Sequence, residues 1–238
     1  EKLISHLNYT KIKTKKYLIC FTPEAFLQLI SAFSSMFNAR SIIDGLSLMD
    51  EKSLGKQIAV SNLNISDEGL HPENVGAFSF DGEGTPTQNI NLIQSGVLIN
   101  LLHSEATARK FGVNPTGHAG LGAKVSVSPD WLVIKKSENE KSTDESLSIN
   151  KTLKEYILID ELSALHSGVK ASQGSFSLPF DGWIVKDGKK TSIEAATVAG
   201  DILKVLNNIV KIEKEQIVTH QGISPYVWVD NMSITGEA

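Results

Sequence analysis

The chain has 238 residues, 41% of them hydrophobic, which is enough apolar material for one large buried core or two small ones. A formal net charge of −4 argues against the broad basic face that holds nucleic acid, and no apolar run reaches the roughly 18 residues of a membrane-spanning helix. The single cysteine, Cys20, excludes an internal disulfide; with no signal-peptide pattern at the start, the expected compartment is reducing and cytoplasmic.

Taken in chain order, the sequence opens in mid-pattern on Glu1, so residues 1–16 are expected to be a leading segment, the end of a missing N-terminal region. Its lysines Lys11, Lys13, Lys15 and Lys16 read as a solvated edge. Tyr17 to Phe21 is a buried strand in which Cys20 packs as a small hydrophobe. Thr22-Pro23-Glu24 then starts a helix with a hydroxyl cap, a proline at the first position and an acid in the first turn. Phe26, Leu29, Ile30, Phe33 and Phe37 follow at helical spacing and predict one apolar face reaching Met36 or Phe37.

From Ser41 to Asn74 the pattern is loose, with a short strand expected at Gln57 to Val60. Asp81-Gly82-Glu83-Gly84-Thr85-Pro86-Thr87-Gln88 is a loop of turn formers, and Asn89 to Leu102 predicts a hairpin turning at Gln94-Ser95-Gly96. Ser104 to Phe111 is a short helix stopped by Gly112, and Asn114 to Gly122 is a second glycine-rich loop. Trp131 to Ile134 is a strand. The polar, aromatic-free stretch 135–148 reads as a mobile insertion. Thr152 to His166 fits strand, helix or both. Trp183 to Lys189 predicts a hairpin over Asp187-Gly188, and Asp201 caps an amphipathic helix carrying Ile202, Leu203, Leu206, Ile209 and Val210. Two short strands are expected near Tyr226–Val229 and Met232–Ile234. The sum is an α+β fold, mostly antiparallel β-sheet and hairpins with a few packed helices, over residues 17–238.

The chemistry-bearing residues alone are sparse. There is no HExxH, no GxSxG elbow and no P-loop ending. Each of the six histidines, His6, His71, His103, His118, His166 and His220, reads first as a surface or hydrogen-bonding residue. A metal site assembled from distant segments stays open, with His118, His166 and His220 as its candidates. Asp81 and Glu83 allow a paired-carboxylate reading. The simpler one has both acids accepting backbone amides in a tight turn.

A series of phrases in fixed order carries more. Phe80 to Gln88 followed by Ser95-Gly96-Val97-Leu98, then Ala108-Arg109-Lys110-Phe111-Gly112, then Pro115-Thr116-Gly117-His118-Ala119-Gly120, resembles the TldD/PmbA family. Gly182 to Gly188, Ala196 to Asp201 and Asn231 to Gly236 extend that resemblance over residues 17–236, and the Thr-Gly-His-Ala-Gly phrase is similar to the PmbA (TldE) branch. The family implies a two-protein cytoplasmic zinc peptidase, also known as a modulator of DNA gyrase. In it a TldD-type subunit carries an HExxxH helix and a late Cys, and a PmbA-type subunit completes the complex. The resemblance implies a TldD-like partner in a heterodimer, or a homodimer, with a peptide substrate and no nucleic acid or membrane partner. In this chain the segment matching the zinc helix is Pro23 to Phe37, with Phe26, Leu27, Leu29 and Ile30 in the ligand region, and the late Cys falls near Ser224. Neither set holds zinc. The expectation is therefore a non-catalytic subunit with no cofactor of its own, zinc being in the partner, and no catalytic residues. Candidate peptide-cleft residues are Thr85, Pro86, Thr87, Gln88, Gly117 and His118. The alternatives are a stand-alone metallopeptidase with an atypical site and a regulatory module that binds gyrase or another protein.

Overall fold

The structure is a computed structural model that describes residues 9–138 and 155–236. Strand β1 (Tyr9–Thr10) precedes β2 (Lys15–Phe21), so part of the leading segment lies on the sheet. Helix α1 (Pro23–Ala32) begins as its sequence dictates: the Thr22 hydroxyl accepts from the Ala25 amide at 3.2 Å, and Pro23 fills the first helical position, where its missing N–H costs nothing. The α-helix ends at Ala32, earlier than its apolar spacing predicts, and a 3₁₀ turn over Ser34–Phe37 takes over. Because i and i+3 share a face in that tighter turn, Phe33 and Met36 stay on one buried side, and Phe37 is buried as well.

After α2 (Ala39–Ile43), capped by Asn38, the segment Gln57–Val60 is not a strand. Ile58 and Ala59 both donate to the Gly96 carbonyl, wrapping the segment around the next hairpin's turn. The strand of this region is β3 (Leu63–Glu68), whose buried Ser66 and Asp67 break the apolar alternation that would have revealed it. The β4 (Asn89–Gln94) and β5 (Val97–Leu98) hairpin turns through Ser95 and Gly96, both at positive φ, as a type I′ turn requires. Helix α3 (Glu105–Phe111) runs from its Ser104 cap to left-handed Gly112. Then come β6 (Ala119–Gly120), β7 (Ser126–Val127) and β8 (Leu132–Lys136). Lys135 and Lys136 belong to a strand; the rest of the expected insertion, from position 139 on, lies outside the described residues.

Of the described part of the ambiguous stretch after it, Glu155–Leu162 form strand β9 and residues 163–166 are loop and turn. Strand β10 (Val169–Lys170) leads to the long β11 (Ser175–Lys186), which turns at Asp187-Gly188 into β12 (Lys189–Ile193) and β13 (Ala196–Asp201). Helix α4 (Ile202–Asn207) is capped by Asp201 but stops early, so Ile209 and Val210 lie in β14 (Ile209–Ile212) and not on the helix. Strands β15 (Ile217–Val218), β16 (Gly222–Ser224) and β17 (Val227–Gly236) follow. The last replaces two expected strands with one, bent where its register shifts between Val229 and Met232 and Asn231 takes φ 61°.

These strands form a nine-stranded sheet, a six-stranded sheet in the order β15-β16-β8-β3-β4-β5, and the small β6–β7 ribbon. In the larger sheet β11, β13, β17, β2 and β9 pair successively and β9 returns to β11, closing a five-strand ring. Pairing is antiparallel except for β1–β12, β2–β9 and β16–β8, so the α+β, mostly antiparallel reading holds. Helix α1 lies against β9 and β16, tied to the end of β9 by the Leu162 amide donating to Gln28 Oε1 at 2.8 Å. Its side chains join β2 in the main core through Phe21, Phe26, Leu27 and Leu29. On the opposite face of the ring Cys20 packs with Leu158, Trp183 and Trp228, and that burial pushes the thiol pKa far up.

Candidate functional site

Two segments that lie far apart in sequence meet at α1 and β16. These are the segments in which the resemblance places a zinc helix and a late ligand. Phe26, Leu27, Leu29 and Ile30 are all buried in the apolar core. Leu27 sits so close to β16 that a side chain at Gly222 would begin 3.2 Å from its Cδ2. Ser224 is fully buried, and its hydroxyl donates to the Pro225 carbonyl at 2.9 Å. The donor set fails the requirements of zinc, which takes thiolate, imidazole or carboxylate ligands. At the margin, exposed His220 places Nδ1 3.1 Å from Oε1 of half-buried Glu24, with no third ligand among the described residues.

The second region is built from the loops 81–88 and 114–122. Asp81 is its organiser. Its Oδ1 accepts from the amides of Glu83 and Thr85, both at 2.9 Å, closing the tight turn, while Oδ2 accepts from the Ala119 amide of the other loop at 2.9 Å. Glu83 reaches the first amide of α3, that of Glu105, at 2.8 Å, where a carboxylate also meets the favourable end of the helix dipole. Both acids are thus occupied by backbone amides, Asp81 within the tight turn as the simpler reading of the sequence has it, Glu83 across to α3 and not within that turn. Gln88 Nε2 donates to the Pro115 carbonyl at 3.1 Å. Gly117, at φ 75°, lies so tightly on the other loop that any side chain there would strike the Pro86 carbonyl.

Beneath these laced loops is a fully buried pair. Asp67 of β3 accepts from the Asp130 amide at 2.8 Å and the Trp131 amide at 3.1 Å. His118 Nε2 lies 3.6 Å from Asp67 Oδ1, with both side chains wholly shielded from solvent. That separation is longer than a hydrogen bond, so the pair is coupled by charge. His118 Nδ1 meets the Thr116 hydroxyl at 3.0 Å. Burial alone pulls the His118 pKa down, but Asp67, with Asp130 beyond it, outweighs that and raises it above the ordinary imidazole value. Asp130 is itself raised, chiefly by burial. Neighbouring His103 has no compensating anion and burial lowers it.

The six cleft candidates from the sequence converge here but play unequal parts. Thr85, Pro86 and Gln88 present surface, while Thr87, Gly117 and His118 are buried behind them. Beside them Phe78, Phe80 and Leu121 stand 77%, 61% and 69% exposed, an apolar patch that the sequence reading passed over. His118, His166 and His220 are not gathered into one site: His118 is buried under the loops, His166 is exposed after β9, and His220 faces Glu24. Among the described residues no group of three or more metal-ligating side chains forms. Asp67 was missed by sequence reasoning, and only the cost of burying an isolated carboxylate, read back from the fold, identifies it as paired.

The family model described as PmbA/TldA metallopeptidase C-terminal domain matches residues 14–236. Metalloprotease PmbA of Escherichia coli O157:H7 is 27% identical over 241 residues, covering 99% of this chain and 49% of that protein. A Thermotoga maritima structure, described as that of a modulator of a DNA gyrase, superposes with a TM-score of 0.84 at 31% identity, over 98% of this chain and 52% of that one. TldE of Thermococcus kodakarensis shares the fold, with a TM-score of 0.81 at 21% identity, over 99% of this chain and 53% of its own. The chain therefore spans about half the length of the relatives it matches. No helix among the described residues is long and apolar enough to cross a membrane. The chain belongs to the PmbA/TldD metallopeptidase family, with the matched region being that family's C-terminal domain.

Proposed function

We propose that this chain acts as the non-catalytic subunit of a TldD/TldE-type zinc peptidase in the cytoplasm, paired with a TldD-like subunit that carries the HExxxH helix and the zinc. The observation that carries this reading is the α1–β16 junction, where buried Phe26, Leu27, Leu29 and Ile30 and the hydroxyl-bearing Ser224 lie in the segments that the resemblance matches to the ligands. Refilling such a site with apolar side chains stabilises the fold and removes the means of activating water. The contribution of this chain is then to shape the peptide channel. Thr85, Pro86 and Gln88, with the exposed Phe78 and Phe80, form its candidate rim, where apolar contacts and backbone pairing hold an extended peptide with little sequence demand. Thr87, Gly117 and His118 support that rim from behind.

The test is co-expression with the TldD-like protein of the same source, followed by peptide cleavage assays with and without this chain. Cleavage is expected to need both proteins, with zinc found in the TldD-like one. Stoichiometric zinc in this chain together with cleavage in the partner's absence would sink the proposal.

A further inference from the structure

The hydroxyl of Thr116 has one proton and three neighbours. It accepts from the His103 amide at 2.8 Å, donates to the His103 carbonyl at 3.2 Å, and meets His118 Nδ1 at 3.0 Å. While its proton serves the His103 carbonyl, Nδ1 of His118 must be the donor. The other ring nitrogen faces the Asp67 carboxylate at 3.6 Å, where a proton gives the pair an attractive charge contact in place of a lone pair against an anion. The hydroxyl bond to the His103 carbonyl, the Nδ1 bond to Thr116 and the charge contact with Asp67 at 3.6 Å hold together only when His118 is the imidazolium. Removing one proton forces a choice. Either a bare Nε2 lone pair opposes Asp67, or the Thr116 hydroxyl turns to Nδ1 and leaves the His103 carbonyl with only the Thr116 amide, at 3.2 Å, so that one of the two bonds this carbonyl accepts is lost.

From this arrangement we infer that His118 is a protonation-dependent latch: as the imidazolium it fastens the laced loops 81–88 and 114–122 to β3 and to the segment before α3, and loss of its proton loosens them. The charged and titratable groups around it are few. Asp67 faces it from β3, Asp130 from the segment leading into β8, and Asp81 is tied to the neighbouring Ala119 amide. His103 lies across Thr116, and burial lowers its pKa. The surrounding carboxylates favour the imidazolium and support the geometric argument. The loops are coupled to the latch because Ala119 binds Asp81, Pro115 binds Gln88, and Gly117 rests on Pro86. The sign follows from linkage. A group raised above its unfolded value adds stability that is fully present below that value, about pH 6.5, and lost as pH climbs through the folded one. The inference is independent of what occupies the rim.

Two measurements on the folded chain test it. In protein labelled with ¹⁵N-histidine, the His118 ring nitrogens are expected to titrate above the ordinary value of about 6.5. Amide exchange, corrected for intrinsic rates, is expected to lose about tenfold protection in residues 81–88 and 114–122 across that midpoint, while β2 and β17 hold theirs. The His118→Gln variant should show the loosened loops at every pH. A midpoint at or below 6.5 overturns the latch, as does loop protection that stays flat through the titration or falls equally in the barrel strands. If the variant fails to fold, the wild-type titration and exchange profile decide alone.

Discussion

The α1–β16 junction and the ground beneath the laced loops are both sealed from water, and they are sealed by opposite means. At the junction the chain uses Phe26, Leu27 and Leu29, side chains that ask for nothing but close packing. Under the loops it buries Asp67, His118 and Thr116, which hold only while every partner is in place. The difference shows where a change is tolerated. An apolar junction loses stability in proportion to volume removed, whereas a buried polar cluster fails when a single member goes. In a metallopeptidase family, this chain has its buried Asp67–His118 pair under the loops and apolar side chains on the helix that the resemblance matches to the zinc helix.

The comparison is sharpest at Asp67. Asp67→Ala is expected to cost about 3–5 kcal/mol, because it strands the charge of His118 and two backbone amides, Asp130 and Trp131. Urea denaturation measures it, and a cost below about 1 kcal/mol, the scale of a surface pair, would break the contrast between the two regions. At the junction, Leu27→Ala is expected to cost about 2–4 kcal/mol by leaving a cavity against β16, again read from the denaturation midpoint. A loss as small as that of a surface substitution would mean the junction is loosely packed. The smallest effect belongs to Gly117→Ala, about 1–3 kcal/mol, from the strain of a side chain at φ 75° and its collision with Pro86. Its signature is local: faster amide exchange in both loops, with α1 unchanged. An effect spread evenly over α1 and the loops would show that the two regions are not separable.

What could be read from the sequence follows from how local each cause is. The start of α1 was legible because Thr22, Pro23 and Glu24 act within one turn. The hairpins at Ser95-Gly96 and Asp187-Gly188 were legible because positive φ has a residue signature. Strand β3 was not, since its buried Asp67 is polar for the sake of partners more than sixty positions away and its buried Ser66 for the sake of Glu68. The end of α4 was misjudged for a related reason. Ile209 and Val210 continue a helical apolar spacing, but pairing of β14 with β17 overrides it. At the candidate site the two loops were legible through their turn formers and the family phrases. The division of labour within them was not, because burial of Thr87, Gly117 and His118 depends on which loop lies over which.

The closed ring of strands also constrains how the molecule is made. Strand β2 has β9 on one side and β17 on the other, and the Thr14 hydroxyl donates to the Gly236 carbonyl across 222 positions of sequence. On a ribosome, β2 therefore emerges long before either neighbour, and its apolar residues Ile19 and Phe21 must wait for most of the domain to be synthesised. Such non-local closure is slow, since the entropy of ordering the intervening chain is lost before the strand pairing repays it. The last turn of the ring, set by the bent β17, is in this sense the step that commits the domain to its fold.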